Sequence, residues 1–562
     1  MHAHKILNFP LLNQSLQDKI SKELKISKIT SQVLINRGIS SVSQANEFLN
    51  AGLAQMLDPF SFPDMKKSVE RIREAARNRE KVMVFGDYDV DGITSVAVLQ
   101  GSLQKLGINT EYYMPHRIKE GYGLSKDILS IAKARGIRLL ITVDCGINDI
   151  LQIHELKKNN IDTIVTDHHQ PFGNDLPCAV GVINPKVNAS PYKYRDLAGV
   201  GVAFKLCQAL SGSILVDELD LVAIGTVADV VPLTGENRII VKEGLKVISR
   251  GKRIGLKALI NRAGIRGNKF NPTFISFILA PRLNASGRID SAQDSLSLLI
   301  TSDDKKARVL ADVLEQHNRT RQRLECKIMD EAEAIINKDI NFKEHKVIVV
   351  AKEDWHQGVL GIVASKLADR FYRPAIVISL SDKICRGSAR SIKNFHLFNA
   401  LGECSQFLDG FGGHAHAAGL TITRESIDDF RDSINRLAHK QLSLEDLLPS
   451  LDIDMELSLL DLEEKTVAEL NLLAPFGAGN REPLFFTRHL RLKGEPRDLA
   501  RETLKFHVTD GRYTREVIGF GMRPLKNSLK EAETFDLVYT ARMDNWLDEA
   551  SVILEAKDIF FR

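Results

Sequence analysis

The sequence predicts a multidomain α/β protein: a parallel-sheet domain, a long connecting helix, a smaller second α/β domain and a C-terminal β-barrel. Three observations predict it. From Lys81 to about Val231 short β-rich runs alternate with longer amphipathic segments, the pattern of a parallel sheet. From Asp303 to about Lys338 the chain is highly charged and free of Gly and Pro. After Pro449 the β-rich runs become short and are spaced by turns, which suggests a small antiparallel barrel. The length of 562 residues agrees with three to four domains at about 150 residues each.

Residues 1–80 form an N-terminal region of short helices. Leu34, Ile35 and Ile39, then Phe48 and Leu49, recur at helical spacing, Pro59 and Pro63 punctuate its end, and Arg71 to Arg79 is a charged helix. The first α/β domain spans 81–302. Its strands are Val82–Phe85, Leu139–Val143, Ile164–Thr166 and Val180–Ile183, and its helices include Thr94–Leu106, Lys126–Arg135 and Asp149–Lys158. Residues 232–300 are mostly helical, with a Gly/Arg-rich middle from Gly251 to Gly267. The connector covers 303–340 as one long helix or two, the alternative being a surface helix of the first domain. The second α/β domain covers 341–445. It has strands Val347–Ala351, Ala375–Leu380 and Ile384–Ala389, and helices Val359–Phe371, Leu397–Phe407 and Ile427–Leu437. The barrel covers 452–562, with strands at Leu504–Val508, Arg515–Phe520, Phe535–Arg542 and Ser551–Ile553. No internal repeat is present.

Composition is that of a globular protein: 44% hydrophobic and 26% charged residues, with a net charge of +4. Six cysteines stand at 145, 178, 207, 326, 385 and 404, none in a C-x-x-C pair, which excludes a zinc ribbon and a thioredoxin-like motif. The N-terminus has no apolar core of a signal peptide, and no apolar stretch approaches the ~18 residues of a membrane span. A reducing cytoplasm is the expected location.

The chemistry lies at strand ends. The first strand runs into Asp87-Tyr88-Asp89-Val90-Asp91-Gly92. Three alternating acids repel one another unless a cation neutralises them, although such a turn alone could be a helix N-cap. The second strand ends in Asp144-Cys145-Gly146 and the third in Asp167-His168-His169. In an open parallel sheet the carboxyl ends of the strands share the edge where ligands bind, so separate strands deliver acids and two histidines to one place. Asp229, after an apolar helix, adds a further acid. Oxygen-rich ligation with few imidazoles suits Mn²⁺ or Mg²⁺ more than zinc. Two such ions about 3.5–4 Å apart can clamp the attacking and leaving oxygens of phosphoryl transfer. The residues therefore point to two-metal hydrolysis of a phosphoester or phosphoanhydride.

These motifs resemble those of the DHH phosphoesterase superfamily and, within it, the bacterial single-strand-specific exonucleases. The resemblance covers nearly the whole chain. It includes Asn36-Arg37-Gly38-Ile39, Trp355-His356-x-Gly358 with Gly361-Ile362-Val363-Ala364-Ser365, Gly412-Gly413-His414-x-His416-Ala417-Ala418-Gly419, and Ala474-Pro475-Phe476-Gly477-x-Gly479-Asn480. It implies that Asp87, Asp89 and Asp144 hold one ion and that Asp91, Asp144, His168 and Asp229 hold the other, with Asp144 bridging. It places His169 near the scissile phosphate and makes Asp167 the support of the histidine pair. It also implies a DHH-associated second domain that faces the metals and holds nucleic acid.

Phosphate contacts are expected from Ser388 and Arg390 in Arg386-Gly387-Ser388-Ala389-Arg390, where arginine gives bidentate contacts. The glycine-rich run with His414 and His416 offers backbone N–H groups. Tight turns with surface charge are the plainer alternative. By resemblance Arg117, Arg282 and Arg288 line the path to the metals, Arg117 gripping a 5′-phosphate. From Arg481 to Lys530 there are twelve Lys/Arg and six Asp/Glu, a net of +6, with Phe485, Phe486, Phe506 and Tyr513 interleaved. A basic groove with aromatic platforms is how barrels of the oligonucleotide-binding (OB) type hold single strands, although any one of these aromatics is as well placed in a core.

Gly199-Val200-Gly201 lacks the third glycine of a dinucleotide fingerprint. No G-x-x-x-x-G-K-[ST] and no serine-centred nucleophile elbow occur. The resemblance implies a metal-dependent 5′→3′ exonuclease that releases 5′-mononucleotides from single-stranded DNA in repair and recombination. The expected partners are a helicase and a single-strand-binding protein, and the expected state is a monomer. The rivals are a phosphodiesterase of short oligonucleotides and a non-catalytic single-strand-binding scaffold. The second conflicts with the presence of every metal acid.

Overall fold

The computed structural model describes residues 5–188, 190–267, 269–381, 384–544 and 551–562. They form two compact units. One holds 58–229 and 246–449, and the other holds 6–57, 230–245 and 450–562.

The first unit is built on five parallel strands: β1 (Lys81–Gly86), β2 (Thr110–Tyr113), β3 (Ile137–Val143), β4 (Asp162–Thr166) and β5 (Gly181–Ile183), in the order β2-β1-β3-β4-β5. Val82, Met83, Val84 and Phe85 are all fully buried, as expected of a strand covered on both faces. Register sets the site. Gly86 pairs with Val143, Val143 with Thr166, and Thr166 with Ile183. The residues that follow β1, β3 and β4 therefore leave the sheet side by side. Edge strand β2 escapes the sequence reading, because Thr-Glu-Tyr-Tyr is short, polar and only half-buried.

Helix α1 (Val90–Lys105) starts on Asp89, whose carboxylate accepts from the backbone N–H groups of Asp91 and Gly92. Gly92 is required there, since a Cβ would stand 2.3 Å from the Asp87 carbonyl oxygen. Helices α2 (Gly199–Ser211) and α3 (Leu219–Ala228) pack on α1.

A single helix, α4 (Asp304–Asp339), runs 36 residues, about 54 Å at ~1.5 Å per residue. Asp303 caps its start by accepting from Lys305 and Lys306 N–H. Its early residues Ala307, Ala311 and Leu314 are buried, while Ile328, Ala332 and Ile336 share a core with Ile348, Val350 and Val377 of the second α/β layer. It thus serves as the connector. That layer has strands β6 (Ile348–Glu353), β7 (Ala375–Leu380), β8 (Cys385–Arg390), β9 (Gly410–Gly413) and β10 (Ala417–Ile422), ordered β9-β10-β8-β7-β6. The glycine-rich run expected as an anion-binding loop is an antiparallel hairpin of β9 and β10. Part of its backbone hydrogen-bonding capacity is spent on strand pairing. The helix expected over Leu397–Phe407 ends at Glu403.

In the second unit Ile6–Asn8 pairs in parallel with Ser450–Asp452. Ile20, Val33 and Leu34 share one core with Leu457, Phe485, Phe506 and Tyr539. The helical region expected over 1–80 is thus divided: its first part packs with the C-terminal residues and its end, from Asp58, lies in the first unit. Five strands, β11 (Phe485–Leu499), β12 (Thr503–Thr509), β13 (Thr514–Gly519), β14 (Phe535–Asp544) and β15 (Ser551–Phe561), close through the β11–β14 pair. The barrel is not wholly antiparallel, because β13 and β15 run parallel. Phe485, Phe486 and Phe506 are core residues at 0%, 3% and 1% exposure, whereas Tyr513 is 37% exposed. Three of the four candidate platforms are therefore unavailable to bases. Among the described residues no helix is long and apolar enough to cross a membrane.

Candidate metal centre

Six side chains converge where β1, β3 and β4 end and α3 terminates. His168 Nε2 lies 3.2 Å from Asp144 Oδ1, 3.6 Å from Asp229 Oδ2 and 3.9 Å from Asp91 Oδ2. Three sets can each offer donor atoms within 4.8 Å of one another: Asp87, Asp89 and Asp144; Asp91, His168 and Asp229; and Asp144, His168 and His169. Asp144 occupies the left-handed region at φ 61°, which turns the chain sharply out of β3. Gly199 makes room for it, since a Cβ there would come 2.4 Å from Asp144 Oδ1. Asp91 is aimed by the N-terminus of α2, accepting from Gly199 and Val200 N–H at 2.7 and 2.8 Å.

The electrostatics are those of a cation site. Burial and then the charge of Asp89 push the Asp87 carboxyl up to about 8 and that of Asp91 up to about 7. Burial and neighbouring carboxylates, Asp91 first, hold Asp144 and Asp229 well above the usual range. Burial, then the charge of His169, lowers His168 to about 3, so its imidazole is neutral and able to ligate. Among the described residues, Asp87 Oδ1, Asp144 Oδ1 and both ring nitrogens of His168 are buried without a hydrogen-bond partner. Buried polar atoms in folded proteins are normally paired. Hard oxygen donors with one neutral imidazole fit Mn²⁺ or Mg²⁺.

Asp167 is fully buried. Its carboxylate accepts from the backbone of His168, His169 and Ile147 and contacts His169 Nδ1 at 2.8 Å. Burial opposes ionisation there, yet the His169 hydrogen bond holds the Asp167 carboxyl down at about 2. Burial alone would lower His169, but the bond to Asp167 raises it above the ordinary histidine value.

A cavity of about 680 Å³ opens beside His169, lined also by Tyr88, Arg117, Tyr122, Ser388, Arg390 and His414. Arg117 stacks over Tyr88 at 4.9 Å. Burial and then Arg117 lower the Arg390 guanidinium below its usual value. The same two effects bring Arg288 down to about 9, while Asp89 acts in the opposite sense. Arg117, Ser388, Arg390 and His414 thus share one cavity with His169. Arg288 donates to the Gly358 carbonyl at 3.2 Å. Arg282 is not brought to the acids; it is held by Glu315 of α4 at 2.8 Å. His416 does not line the cavity, and its carbonyl accepts from Ser391 N–H.

Sequence reasoning missed Tyr122. Its hydroxyl lies 2.9 Å from His169 Nδ1 and donates to the Asp144 carbonyl at 3.2 Å. It follows the unrecognised strand β2, which hid the strand-end signal. Asn184, just after β5, donates to the His169 carbonyl at 2.9 Å, and the strand-end rule could have found it.

Residues 81–226 match the DHH family N-terminal domain, 344–440 the DHHA1 domain and 453–558 the RecJ OB domain. The single-stranded-DNA-specific exonuclease RecJ of Bacillus subtilis is 39% identical over 548 residues, covering 96% of this chain and 69% of the relative. The Escherichia coli protein of the same description is 35% identical over 492 residues, covering 83% of this chain and 84% of the relative. The crystal structure of RecJ from Thermus thermophilus in complex with Mn²⁺ superposes with a TM-score of 0.85 at 27% identity, covering 99% of this chain and 80% of that one.

Proposed function

This chain belongs to the family of RecJ single-stranded-DNA-specific exonucleases, and from that premise we propose how its residues carry out the reaction. It is a metal-dependent exonuclease of single-stranded DNA, with Mn²⁺ or Mg²⁺ as cofactor. The observation that carries the residue assignment is the pair of acid sets, Asp87/Asp89/Asp144 and Asp91/His168/Asp229, linked by the 3.2 Å approach of His168 to Asp144.

In this reading Asp144 contributes to both ions, Asp87 and Asp89 complete one set, and Asp91, His168 and Asp229 complete the other. When bound, the ions supply charge neutralisation and Lewis acidity to the attacking and leaving oxygens. His169, held by Asp167 and carrying a raised pKa, presents a proton or a hydrogen bond to the scissile phosphate. The Tyr122 hydroxyl lies against the same ring nitrogen, Nδ1, that Asp167 holds, which leaves Nε2 free to face the phosphate. Arg117, Ser388 and Arg390 grip the terminal phosphate across the cavity, where two nearby guanidiniums favour an anion.

Cleavage runs 5′→3′ and releases 5′-mononucleotides, with the 5′-phosphate in the arginine cavity. The domains act as 81–302 for catalysis, 303–340 as connector, 341–445 as the facing wall and 452–562 as a single-strand grip. The protein works as a monomer in the cytoplasm during repair and recombination, on strands exposed by a helicase and covered by a single-strand-binding protein. Digestion of 5′- and 3′-labelled single strands with Mn²⁺ or Mg²⁺ tests the reading. Immediate release of the 5′ label as a mononucleotide is expected, and immediate release of the 3′ label overturns the polarity.

A further inference from the structure

From Lys246 to Ile289 the chain carries ten Lys/Arg and no Asp/Glu, within a molecule of net charge +4. Several of these cations are paired with acids from elsewhere: Lys252 with Asp217, Arg253 with Asp220, Arg262 with Asp312 and Arg282 with Glu315. Arg250, Lys257, Arg266 and Lys269 are exposed and make no ion pair among the described residues. Arg262 and Arg282 are anchored to α4 at positions three residues apart, Asp312 and Glu315. Between them the sequence bears Arg266, Lys269 and three aromatics. Phe270 and Phe274 stack with ring centroids 4.4 Å apart, and Phe277 is 73% exposed. A groove of about 540 Å³ is lined by Lys257, Asn261 and Arg262 and by Asp304, Arg308 and Asp312 of α4, where Arg262 pairs with Asp312 and Arg308 with Asp304, so Lys257 is its one cation without an acid partner among the described residues.

A single exposed phenylalanine is ordinary. An exposed phenylalanine within an acid-free basic stretch is the combination that holds single-stranded nucleic acid, with cations along the backbone and a ring face for a base. The position is also informative. Pro272–Phe274, Ile275–Leu279 and Ala280–Ile289 follow one another as continuous helical backbone. The far end lies against the acid-bearing loop: Asn284 accepts from Val90 N–H at 3.2 Å, and a Cβ on Gly287 would stand 2.8 Å from the Tyr88 carbonyl oxygen. Eleven residues separate Phe277 from Arg288, about 16 Å at ~1.5 Å per residue. A stacked strand covers that distance in roughly five nucleotides at ~3.4 Å each.

We propose that helix Ile254–Arg262, together with Arg266, Lys269 and Phe277, forms a second single-strand contact surface on the catalytic unit. Lys257, Arg266 and Lys269 take phosphates, and Phe277 takes a base, about five nucleotides from the reacting phosphate. The inference rests on the single-strand nuclease reading and adds where the rest of the substrate is held.

The test uses the full-length chain with Phe277→Ala and with the double change Arg266→Ala/Lys269→Ala. Binding is measured by fluorescence anisotropy in an Asp144→Asn background, with a strand of about 30 nucleotides and one of about four. Phe277→Ala is expected to weaken the long strand by roughly tenfold. The double change is expected to make the salt slope shallower by about 1.4, at ~0.7 per phosphate contact. Neither should alter binding of the short strand, or its cleavage when Asp144 is intact. Unchanged affinity and slope for the long strand overturn the proposal, as does an equal loss on both lengths. Loss of polyglutamate binding with DNA binding retained would assign the surface to an acidic polypeptide instead and likewise overturn it. If the unmutated chain digests no single strand yet these binding losses appear, the nuclease reading fails and the surface stands.

Discussion

His168 Nε2 and Asp144 Oδ1 lie 3.2 Å apart, both side chains are buried, and neither atom has a hydrogen-bond partner among the described residues. In the proposed reading the two donor atoms face a common cation rather than each other. Asp144→Asn keeps the shape and tolerates the left-handed backbone at this position, but removes the charge shared by both acid sets. Cleavage should fall by more than the roughly 10²–10³ that loss of one electrostatic contact costs, with single-strand binding within about twofold. Asp144→Ala should behave alike in cleavage and be less stable. Near-normal turnover of either variant at saturating Mn²⁺ would remove Asp144 from the bridging role.

The same crowding predicts how stability depends on pH. Burial and Asp89 raise Asp87 to about 8 and Asp91 to about 7, above the ~3.9 of an unfolded aspartate. The folded state therefore holds protons that the unfolded state has lost. The contribution of these two carboxyls to the stability of the metal-free protein is fully present below pH ~4 and is lost as pH rises through about 7 to 8, on the order of a few kcal/mol. Mn²⁺ should restore it, by about 2.7 kcal/mol at a hundredfold excess over Kd, and more at pH 8 than at pH 6. Denaturant titrations with chelator and with Mn²⁺ check this. A chelated protein more stable at pH 8 than at pH 6 would contradict it.

Legibility followed locality. The acids of the site were readable because each ends an apolar run, as Val143 precedes Asp144 and Thr166 precedes Asp167, and strand pairing then aligns those ends. Tyr122 was not, because β2 is polar and half-buried and gives no periodic signal. The resemblance put Arg282 on the path to the metals, but its partner Glu315 lies 33 residues away on α4. Phe485 and Phe506 read equally well as platforms or core, and only barrel closure decides that they face inward. The pairing of Ile6–Asn8 with Ser450–Asp452 spans most of the chain and leaves no local trace.

That last pairing changes what a truncation does. Cutting away residues 452–562 leaves Ile20, Val33, Leu34 and Ile39 without Leu457, Phe485, Phe506 and Tyr539, the residues that complete their core. Each large apolar side chain so exposed costs about 1.5–3 kcal/mol. The truncated chain should be aggregation-prone, with residues 6–57 sensitive to protease, although every candidate metal ligand is retained. Removing 6–57 as well should improve its solubility. Limited proteolysis and sedimentation of the two truncations decide it. A soluble, protease-resistant N-terminal segment in the first truncation would contradict the shared core.

Arg390 should matter for both rate and strand selectivity. Its guanidinium donates to the Ala389 carbonyl at 2.8 Å and lies 3.4 Å from Ser388 Oγ, so it is held in place before substrate arrives. It shares a cavity with Arg117 and His169, and burial with Arg117 nearby disfavours its charge. A bound phosphate relieves both penalties. Arg390→Ala should slow single-strand cleavage by roughly 10–100-fold, the range for a lost charged hydrogen bond of about 1.5–3 kcal/mol, and flatten the salt dependence of binding by about 0.7. Arg390→Lys should recover charge and slope but not the bidentate contact, and so only part of the rate. The cavity of about 680 Å³ is walled by Tyr88 and Tyr122 from the strand ends of the catalytic sheet and by Ser388, Gly412 and His414 from the second α/β layer. Such a space admits a terminal nucleotide separated from its complement, and a paired terminus would have to open before entering. Blunt duplex DNA should therefore resist digestion, while the same duplex with a frayed or single-stranded 5′ end is consumed. Rapid digestion of a blunt duplex without a helicase would show that paired ends reach the acids, and an unchanged rate and salt slope for Arg390→Ala would remove Arg390 from the phosphate grip.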